Sequence, residues 1–370
     1  MQFRILRTEL LNALTKVSRA VSSKSPLPVL TGIKFNLTND ELILTGSDSD
    51  ITIETRIEKN EKKLEIKESG AIVLNGHYIS EIVRKIESEF IDIEIIDGTL
   101  TRIKGERSEF NLNGIKSIDY PKIDLTKRGE NFKLDSLLLK TIINQTVFAT
   151  TDKETRPILT GVNFRAIDGE LSCIATDSYR LAKKVVRVDE GLRFNITIPA
   201  KSLNEISKII EKVEDIDIYV SDRKILFALD NIVIQTRLID GAFPDTSRLI
   251  PTDFSYDLCV DSKDILSAID RASLLASDSN NIVKLTMNNE NVMISSKSQE
   301  IGSVEEDLSS SFFQGEPLNI SFSSKYVSEA IRAISQPKIK ILFTGDMKPF
   351  IIKSDEDESL LQLVLPVRTY

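Results

Sequence analysis

The sequence predicts an α+β protein made of three tandem copies of one mixed helix-and-strand unit, and three observations carry that expectation. Residues 28 to 35 read Pro-Val-Leu-Thr-Gly-Ile-Lys-Phe and residues 157 to 164 read Pro-Ile-Leu-Thr-Gly-Val-Asn-Phe, five identities in eight positions at an offset of 129. A second signature occurs three times. Glu81 to Ile86, Glu205 to Ile210 and Glu329 to Ile334 each carry Glu, a cation three residues on and Ile five residues on, and both intervals are 124 residues. The third observation is an apolar pattern, Leu10-Leu11-x-Ala13-Leu14, met again as Leu138-Leu139-x-Thr141-Ile142 and Ile265-Leu266-x-Ala268-Ile269. Self-similarity at a fixed period marks a tandem array, and this period is that of a domain of ordinary size, roughly 100 to 150 residues.

The elements of the first copy come from periodicity. A strand at 2 to 6 leads into a helix at 8 to 20, where the Leu-rich pattern repeats at helical spacing. Strands succeed it at 29 to 36, 41 to 47 and 49 to 57. Then comes the second half of the copy: a strand at 71 to 75, a helix at 77 to 88 and strands at 90 to 97, 99 to 105 and 108 to 114. In that helix Glu81 and Arg84 are neighbours on the wet face, while Ile82, Val83 and Ile86 line the other. Ser80, Asn204 and Ser328, of types favoured near helix starts, precede the three Glu residues. The second copy repeats a strand from Glu170 to Thr176, and the third a strand from Glu290 to Ser296. Each copy is thus two β-α-β-β-β halves. Proline-bearing polar stretches at Tyr120-Pro121 and from Pro244 to Pro251 separate the copies, which predicts domains at 1–124, 125–252 and 253–370.

Composition narrows the function. With 41% hydrophobic and 28% charged residues, 15 Gly and 11 Pro, the 370-residue chain reads as folded and soluble. No stretch approaches 18 uninterrupted apolar residues, and the start Met1-Gln2-Phe3-Arg4 lacks the layout of a signal peptide, so the expected location is the cytoplasm. Cys173 and Cys259 lie in apolar strand-like runs and are expected to be reduced core residues. His77 is the only histidine, which leaves zinc sites and Cys-His relays almost nothing to be built from. No Walker-type loop and no G-x-G-x-x-G after a strand is found. The 56 acidic residues are scattered along polar faces. Catalytic residues, metal and cofactor are therefore expected to be absent.

Alternating strands with helices on one face give each copy a sheet side and a helix side. Near-identical copies that repeat one interface form an arc, and a head-to-tail pair of arcs closes into a ring.

Beyond these patterns, the chain resembles the bacterial DNA polymerase III beta subunits, the beta sliding clamps, over essentially its full length. The motifs are Met1-Gln2-Phe3, Leu27-Pro28-Val29-Leu30, Ala175-Thr176-Asp177-Ser178-Tyr179-Arg180-Leu181-Ala182, Gly241-Ala242-Phe243-Pro244-Asp245 and Val364-Leu365-Pro366-Val367-Arg368. The resemblance implies a DNA-clamp (processivity) fold: a homodimeric ring with helices lining the inside and sheets outside, encircling duplex DNA without sequence preference. It also implies no catalysis, tethering of the replicative polymerase, and loading by an ATP-dependent clamp loader.

The resemblance carries over two sets of residues, and the ring it implies points to a third, cations on or beside the helical patterns and in the loop before the second repeated strand. A pocket for partner peptides would comprise Thr176, Ser178, Tyr179, Arg180 and Leu181; Pro244, Arg248 and Leu249; and Leu363, Val364, Leu365, Pro366, Val367 and Arg368. By itself, the run Leu363 to Val367 reads more often as a buried terminal strand. The dimer seam would use Phe110, Leu112, Leu274 and Leu275, each of which also suits an ordinary core. DNA contacts fall to Lys24, Arg84, Lys153, Arg156, Lys208, Lys212 and Arg332, any of which reads as well as a solvated surface cation. The net charge of −8 fits an acidic exterior and sparse, salt-screened phosphate contacts that permit sliding. Two departures stand out: Ser178-Tyr179 replaces a frequent Gly-His, and Arg156-Pro157-Ile158 replaces frequent aromatic residues. The competing readings are a peptide-binding repeat scaffold that never surrounds DNA and a hydrolase using paired carboxylates. The second lacks activating groups.

Overall fold

The fold is taken from a computed structural model that describes residues 1–153, 155–212, 214–276, 281–309 and 311–368. The first copy runs β1 (Gln2–Leu6), α1 (Arg7–Val17), β2 (Gly32–Leu37), β3 (Glu41–Ser47), β4 (Ile51–Glu58) and β5 (Leu64–Glu68). It continues with β6 (Gly70–Asn75), α2 (Gly76–Lys85), β7 (Phe90–Asp97), β8 (Leu100–Lys104), β9 (Glu109–Asn113) and β10 (Ile115–Lys116). The second copy has β11 (Glu130–Asp135), α3 (Ser136–Thr146), β12 (Gly161–Ile167), β13 (Glu170–Thr176) and β14 (Arg180–Arg187). Its other half is β15 (Phe194–Pro199), α4 (Ala200–Ile209), β16 (Asp215–Val220), β17 (Lys224–Leu229) and β18 (Ile232–Arg237). The third opens with β19 (Tyr256–Asp261), α5 (Ser262–Ser273), β20 (Ile282–Met287), β21 (Val292–Ser298), β22 (Gly302–Asp307) and β23 (Ser311–Gln314). It closes with β24 (Leu318–Ser323), α6 (Ser324–Ile334), β25 (Lys338–Phe343), β26 (Phe350–Ser354) and β27 (Asp357–Val364).

The halves are interlocked. In every copy the strand that opens one half pairs with the other half: β1 with β7 and β6 with β2 in the first, β11 with β16 and β15 with β12 in the second, β19 with β25 and β24 with β20 in the third. Neither half can complete its sheet alone. Sheets also run on from copy to copy. β4 pairs antiparallel with β18, Ile53 opposite Ile234, and β14 with β27, Leu181 opposite Leu363. Two nine-stranded sheets result, β10-β6-β2-β3-β4-β18-β17-β16-β11 and β15-β12-β13-β14-β27-β26-β25-β19-β23. Two smaller ones, β5-β1-β7-β8-β9 and β22-β21-β20-β24, end on β9 and β22.

Two compact units are distinguished, Met1–Leu137 with Lys201–Leu238, and Leu138–Ala200 with Ile239–Tyr370. Each contains one nine-stranded and one smaller sheet. In the first, α1 buries Leu10, Ala13, Leu14 and Val17, the i, i+3, i+4, i+7 stripe of a helix lying on a sheet. Each fully buried Leu there is worth about 1.5–3 kcal/mol. Gly46 allows α1 to come close to β3: a Cβ at that position would stand 2.7 Å from the carbonyl oxygen of Val17. In the second unit α5 buries Ile265, Ala268, Ile269 and Ala272, and α6 buries Val327, Ala330, Ile331 and Ile334, by the same spacing. No helix among the described residues is long and apolar enough to cross a membrane.

Several sequence expectations need correction. Residues 28–31 form a 3-10 turn rather than the start of a strand, because Pro28 fixes φ and offers no N–H to a ladder. Thr31 donates its hydroxyl to the Pro28 carbonyl, 2.8 Å, closing the turn. The first helix ends at Val17, with a 3-10 turn over Ser18–Ala20, and the second stops at Lys85 rather than 88. Ser80, Asn204 and Ser328 lie inside their helices. The cap of α2 is Asn75, whose side chain accepts from Tyr78 N. β5, β10 and β23 are short strands that their sequences did not announce, since each gains its partner only from a neighbouring edge. Cys173 is buried as expected, but Cys259 is partly exposed.

Candidate partner and nucleic-acid sites

The turn between β13 and β14 is built by its own side chains. Thr176 Oγ1 donates to the Arg180 carbonyl at 2.6 Å and accepts from Ser178 N at 3.2 Å, while Asp177 Oδ1 accepts from Tyr179 N (2.9 Å) and Arg180 N (3.0 Å). Ser178 takes φ 79°, in the left-handed region. The same device stands 129 residues earlier: Asp48 Oδ1 accepts from Asp50 N and Ile51 N, Ser49 N donates to Ser47 Oγ, and Ser49 has φ 84°. The two turns deliver different residues. The first leads into Ile51, 2% exposed, and the second into Arg180, 6% exposed.

A buried guanidinium must find partners for its donors, and Arg180 finds them on three elements. Nε donates to Asp177 Oδ2 at 3.0 Å, Nη1 is ion-paired with Glu329 of α6, and Nη2 donates to the Phe148 carbonyl in the 3-10 turn after α3. Its carbon Cζ lies 4.5 Å from the ring centre of Tyr326 and 5.2 Å from that of Phe148, a cation–π sandwich. Tyr179, 59% exposed, stacks on Tyr326 with centroids 6.4 Å apart. Burial, helped by the Asp177 charge, pushes the Tyr326 hydroxyl above its ordinary pKa.

The terminal segment is sewn to this turn. Arg180 pairs with Val364 and Leu181 with Leu363; Leu365 N then donates to the Tyr179 carbonyl at 2.9 Å and Val367 N to the Ser321 carbonyl at 2.7 Å. The structure thus unites Thr176, Ser178, Tyr179, Arg180 and Leu181 with Leu363 to Val367. Leu363 and Val364, at 3% and 0% exposure, are strand core, so the accessible surface here comes from Tyr179 with the half-buried Leu365, Pro366 and Val367 and the exposed Arg368. Pro244, Arg248 and Leu249 lie on the segment around the 3-10 turn Ser247–Leu249, where Asp245 Oδ1 accepts from Ser247 N at 2.9 Å. Their link to the rest is membership of one compact unit. The sequence reading missed Tyr326, Phe148 and Glu329. A helix and a 3-10 turn remote in the chain supply them; Glu329 was legible only as the acid of the repeated helix signature, and Tyr326 and Phe148 only by their aromatic character.

The candidate DNA-contacting cations are divided between loops and helices. Lys24 and Lys153 are exposed, 129 residues apart, in equivalent loops after α1 and α3; Arg156 beside Lys153 donates to Ser178 Oγ at 3.3 Å. Arg84 on α2 is ion-paired with Glu81, and Lys208 on α4 with Glu205 at 2.7 Å. Lys212, just past α4, and Arg332 in the last turn of α6 are exposed. Of the seam candidates, Phe110 is 38% exposed on the edge strand β9 and Leu274 is 76% exposed beyond the end of α5, whereas Leu112 and Leu275 are half-buried. Among the described residues no group of three His, Cys, Asp or Glu is placed to hold a metal ion.

Doubled β-α-β-β-β halves in three copies, with sheets continuing across their junctions, define the DNA-clamp class of protein. The family models of the DNA polymerase III beta subunit match residues 1–124 (N-terminal domain), 133–245 (central domain) and 247–368 (C-terminal domain). The chain belongs to the DNA polymerase III beta subunit family. It is 44% identical to the Beta sliding clamp of Bacillus subtilis (strain 168) and 41% identical to that of Staphylococcus aureus (strain N315), covering 100% of both chains in each comparison. Among solved structures, the DNA polymerase sliding clamp from Bacillus subtilis superposes with TM-score 0.96 at 43% identity. The DNA polymerase III beta chain from Streptococcus pneumoniae TIGR4 superposes with TM-score 0.96 at 35% identity. Both superpositions cover 100% of each chain.

Proposed function

We propose that two copies of this chain join head to tail into a closed ring around duplex DNA, and that the ring, without catalysing a reaction, keeps the replicative polymerase on its template. The observation that carries the reading is a seam used twice within the chain. β4 joins β18, and β14 joins β27; each time the third strand after the helix of a first half meets the third strand after the helix of a second half. β9 and β22 are the two remaining strands at that third position, and both are sheet edges. A third seam of the same kind therefore requires a second copy, and two such seams close the assembly. Exposed Phe110 and Leu274, with Leu112 and Leu275, are the apolar groups of that contact. Domains at 1–124, 125–252 and 253–370 repeat the unit six times around the ring.

With the helices toward the bore, Lys24, Arg84, Lys153, Arg156, Lys208, Lys212 and Arg332 reach phosphate, and their sparseness keeps binding weak enough to slide. Tyr179, Leu365, Pro366 and Val367, with Pro244, Arg248 and Leu249 as a second wall, accept short apolar peptides of the polymerase and of the ATP-dependent loader that opens the ring. The setting is the cytoplasm. The test is retention on DNA after loading. The ring stays on closed circles and leaves linear molecules with free ends; equal retention on both refutes encirclement. A monomer in sedimentation at micromolar concentration that still binds peptide identifies a scaffold instead.

A further inference from the structure

The Glu-x-x-cation signature of α2, α4 and α6 is equivalent in sequence but not in its pairing. Arg84 is bound to Glu81, and Lys208 lies 2.7 Å from Glu205. Neighbouring cations of the first unit are also neutralised: Arg19 reaches Glu205 at 3.2 Å and Lys16 reaches Glu211 at 3.3 Å. On α6 the carboxylate of Glu329 is taken by Arg180 arriving from β14, and Arg332 has no ion pair among the described residues. Two substitutions between the copies accompany this difference. Phe148 stands where the first copy has Arg19, and Arg180 stands where it has Ile51, each 129 residues on. The cation of the acid on α6 is thereby moved from the exposed helix face into the interior.

Arg332 lines a cleft of 480 Å³ between α3 and α6 with Thr141, Asn144, Gln145, Phe148 and Glu329. Gln145 is 7% exposed and its Oε1 is buried without a hydrogen-bond partner. An orphaned acceptor in a polar cleft is a place for a bridging water. The charged groups of the cleft are Arg332 and Glu329, whose carboxylate is ion-paired from behind by Arg180. We infer that this cleft seats a backbone phosphate of the duplex, and that Arg180 is the positioning residue that keeps Arg332 available to it. An unpaired guanidinium meets phosphate without first surrendering a carboxylate, and its planar donors suit phosphate oxygens. Arg332 therefore contributes more to DNA binding than its sequence equivalents Arg84 and Lys208. This inference rests on the ring reading.

The test measures affinity for duplex DNA against salt concentration, by fluorescence anisotropy, with retention of the wild type on circular and linear DNA scored in parallel. Arg332→Gln lowers affinity at low salt and reduces the log–log salt slope by about 0.9 for each phosphate no longer neutralised; Arg84→Gln and Lys208→Gln change both clearly less. Asp177→Asn/Arg180→Met, which removes the buried cation together with the acid beside it, releases Glu329 to Arg332 and weakens DNA binding. Adding Glu329→Gln to that pair restores it. Equal losses in the three single variants overturn the inference, and they need only exposed positions, so folding of the Arg180 variants does not decide the matter. Failure of Glu329→Gln to restore binding in a folded protein overturns the role of Arg180. Failure of the wild type to distinguish circles from linear DNA removes the ring itself.

Discussion

Lys184 and Asp357 meet across the β14–β27 pairing, with Nζ 2.6 Å from Oδ2 and side chains only 7% and 23% exposed. The pair sits on the seam where the sheet of one copy passes into the next. Burial alone would raise the Asp357 carboxyl, but hydrogen bonds from Lys184 and Ser359 overcome it and hold the pKa below the ordinary carboxylate value. Linkage sets the sign. A carboxyl depressed in the folded state adds stability above its unfolded pKa of about 3.9, and that contribution is lost as pH falls below it. Lys184→Met leaves Asp357 partly buried and unpaired, and is expected to cost about 1–3 kcal/mol. Lys184→Met/Asp357→Leu recovers most of that loss. Urea titrations at neutral pH and near pH 3 check both points, the single-variant deficit shrinking in acid.

Ser178 at φ 79° occupies a conformation that glycine enters freely. Ser178→Gly removes left-handed strain of about 1–2 kcal/mol and adds unfolded-chain entropy of about 0.5–1 kcal/mol. The expected result is unchanged or slightly higher stability, and Ser49→Gly behaves alike because its turn has the same backbone bonds, the Ser178 hydroxyl adding only an exposed bond from Arg156. Ser178→Val, β-branched at positive φ, is expected to lower the thermal midpoint. Calorimetry of the three variants decides.

Phe110 on the edge strand β9 and Leu274 just past the end of α5 are exposed apolar groups. Phe110→Asp or Leu274→Asp places a charge in the proposed contact and is expected to shift the protein from dimer to monomer in sedimentation at micromolar concentration. The far-ultraviolet circular dichroism stays the same, since neither side chain is core. A dimer that persists in both variants moves the seam elsewhere.

Peptide binding is expected to fail when residues 366–370 are removed. The cut begins at Pro366 because Val364 has 0% exposure and belongs to the core of the second unit; a deletion starting there would damage folding. Tyr179→Ala, exposed and stacked on Tyr326, is expected to weaken a polymerase-derived peptide by about tenfold, a step of about 1.4 kcal/mol that marks a modest hot spot. Isothermal titration with dimerisation measured in parallel separates loss of the groove from loss of the fold.

The two thiols differ in reach. Cys173 is fully buried, and burial drives its pKa far above the ordinary thiol value; Cys259 is partly exposed, and burial with the Asp257 charge raises it more moderately. Iodoacetamide near pH 8 is expected to modify Cys259 slowly and Cys173 only after denaturation. Mass spectrometry of the native protein showing Cys173 modified first would contradict its burial.

The repeat, the helix stripes and most strands were legible in the residues alone, because a side chain's face is set by local periodicity. Leu10, Ala13, Leu14 and Val17 must share one side of any helix they form. Strand exchange was not legible: β1 pairs with β7 and β6 with β2 through residues dozens of positions away, and nothing in the alternation of β1 distinguishes one partner sheet from another. The same limit hid the surroundings of Arg180. Its motif could be read in the chain, but Glu329, Phe148 and Tyr326 reach it from other elements. Periodicity is a property of neighbours along the chain; pairing and charge compensation are properties of neighbours in space, and only the tertiary structure decided those.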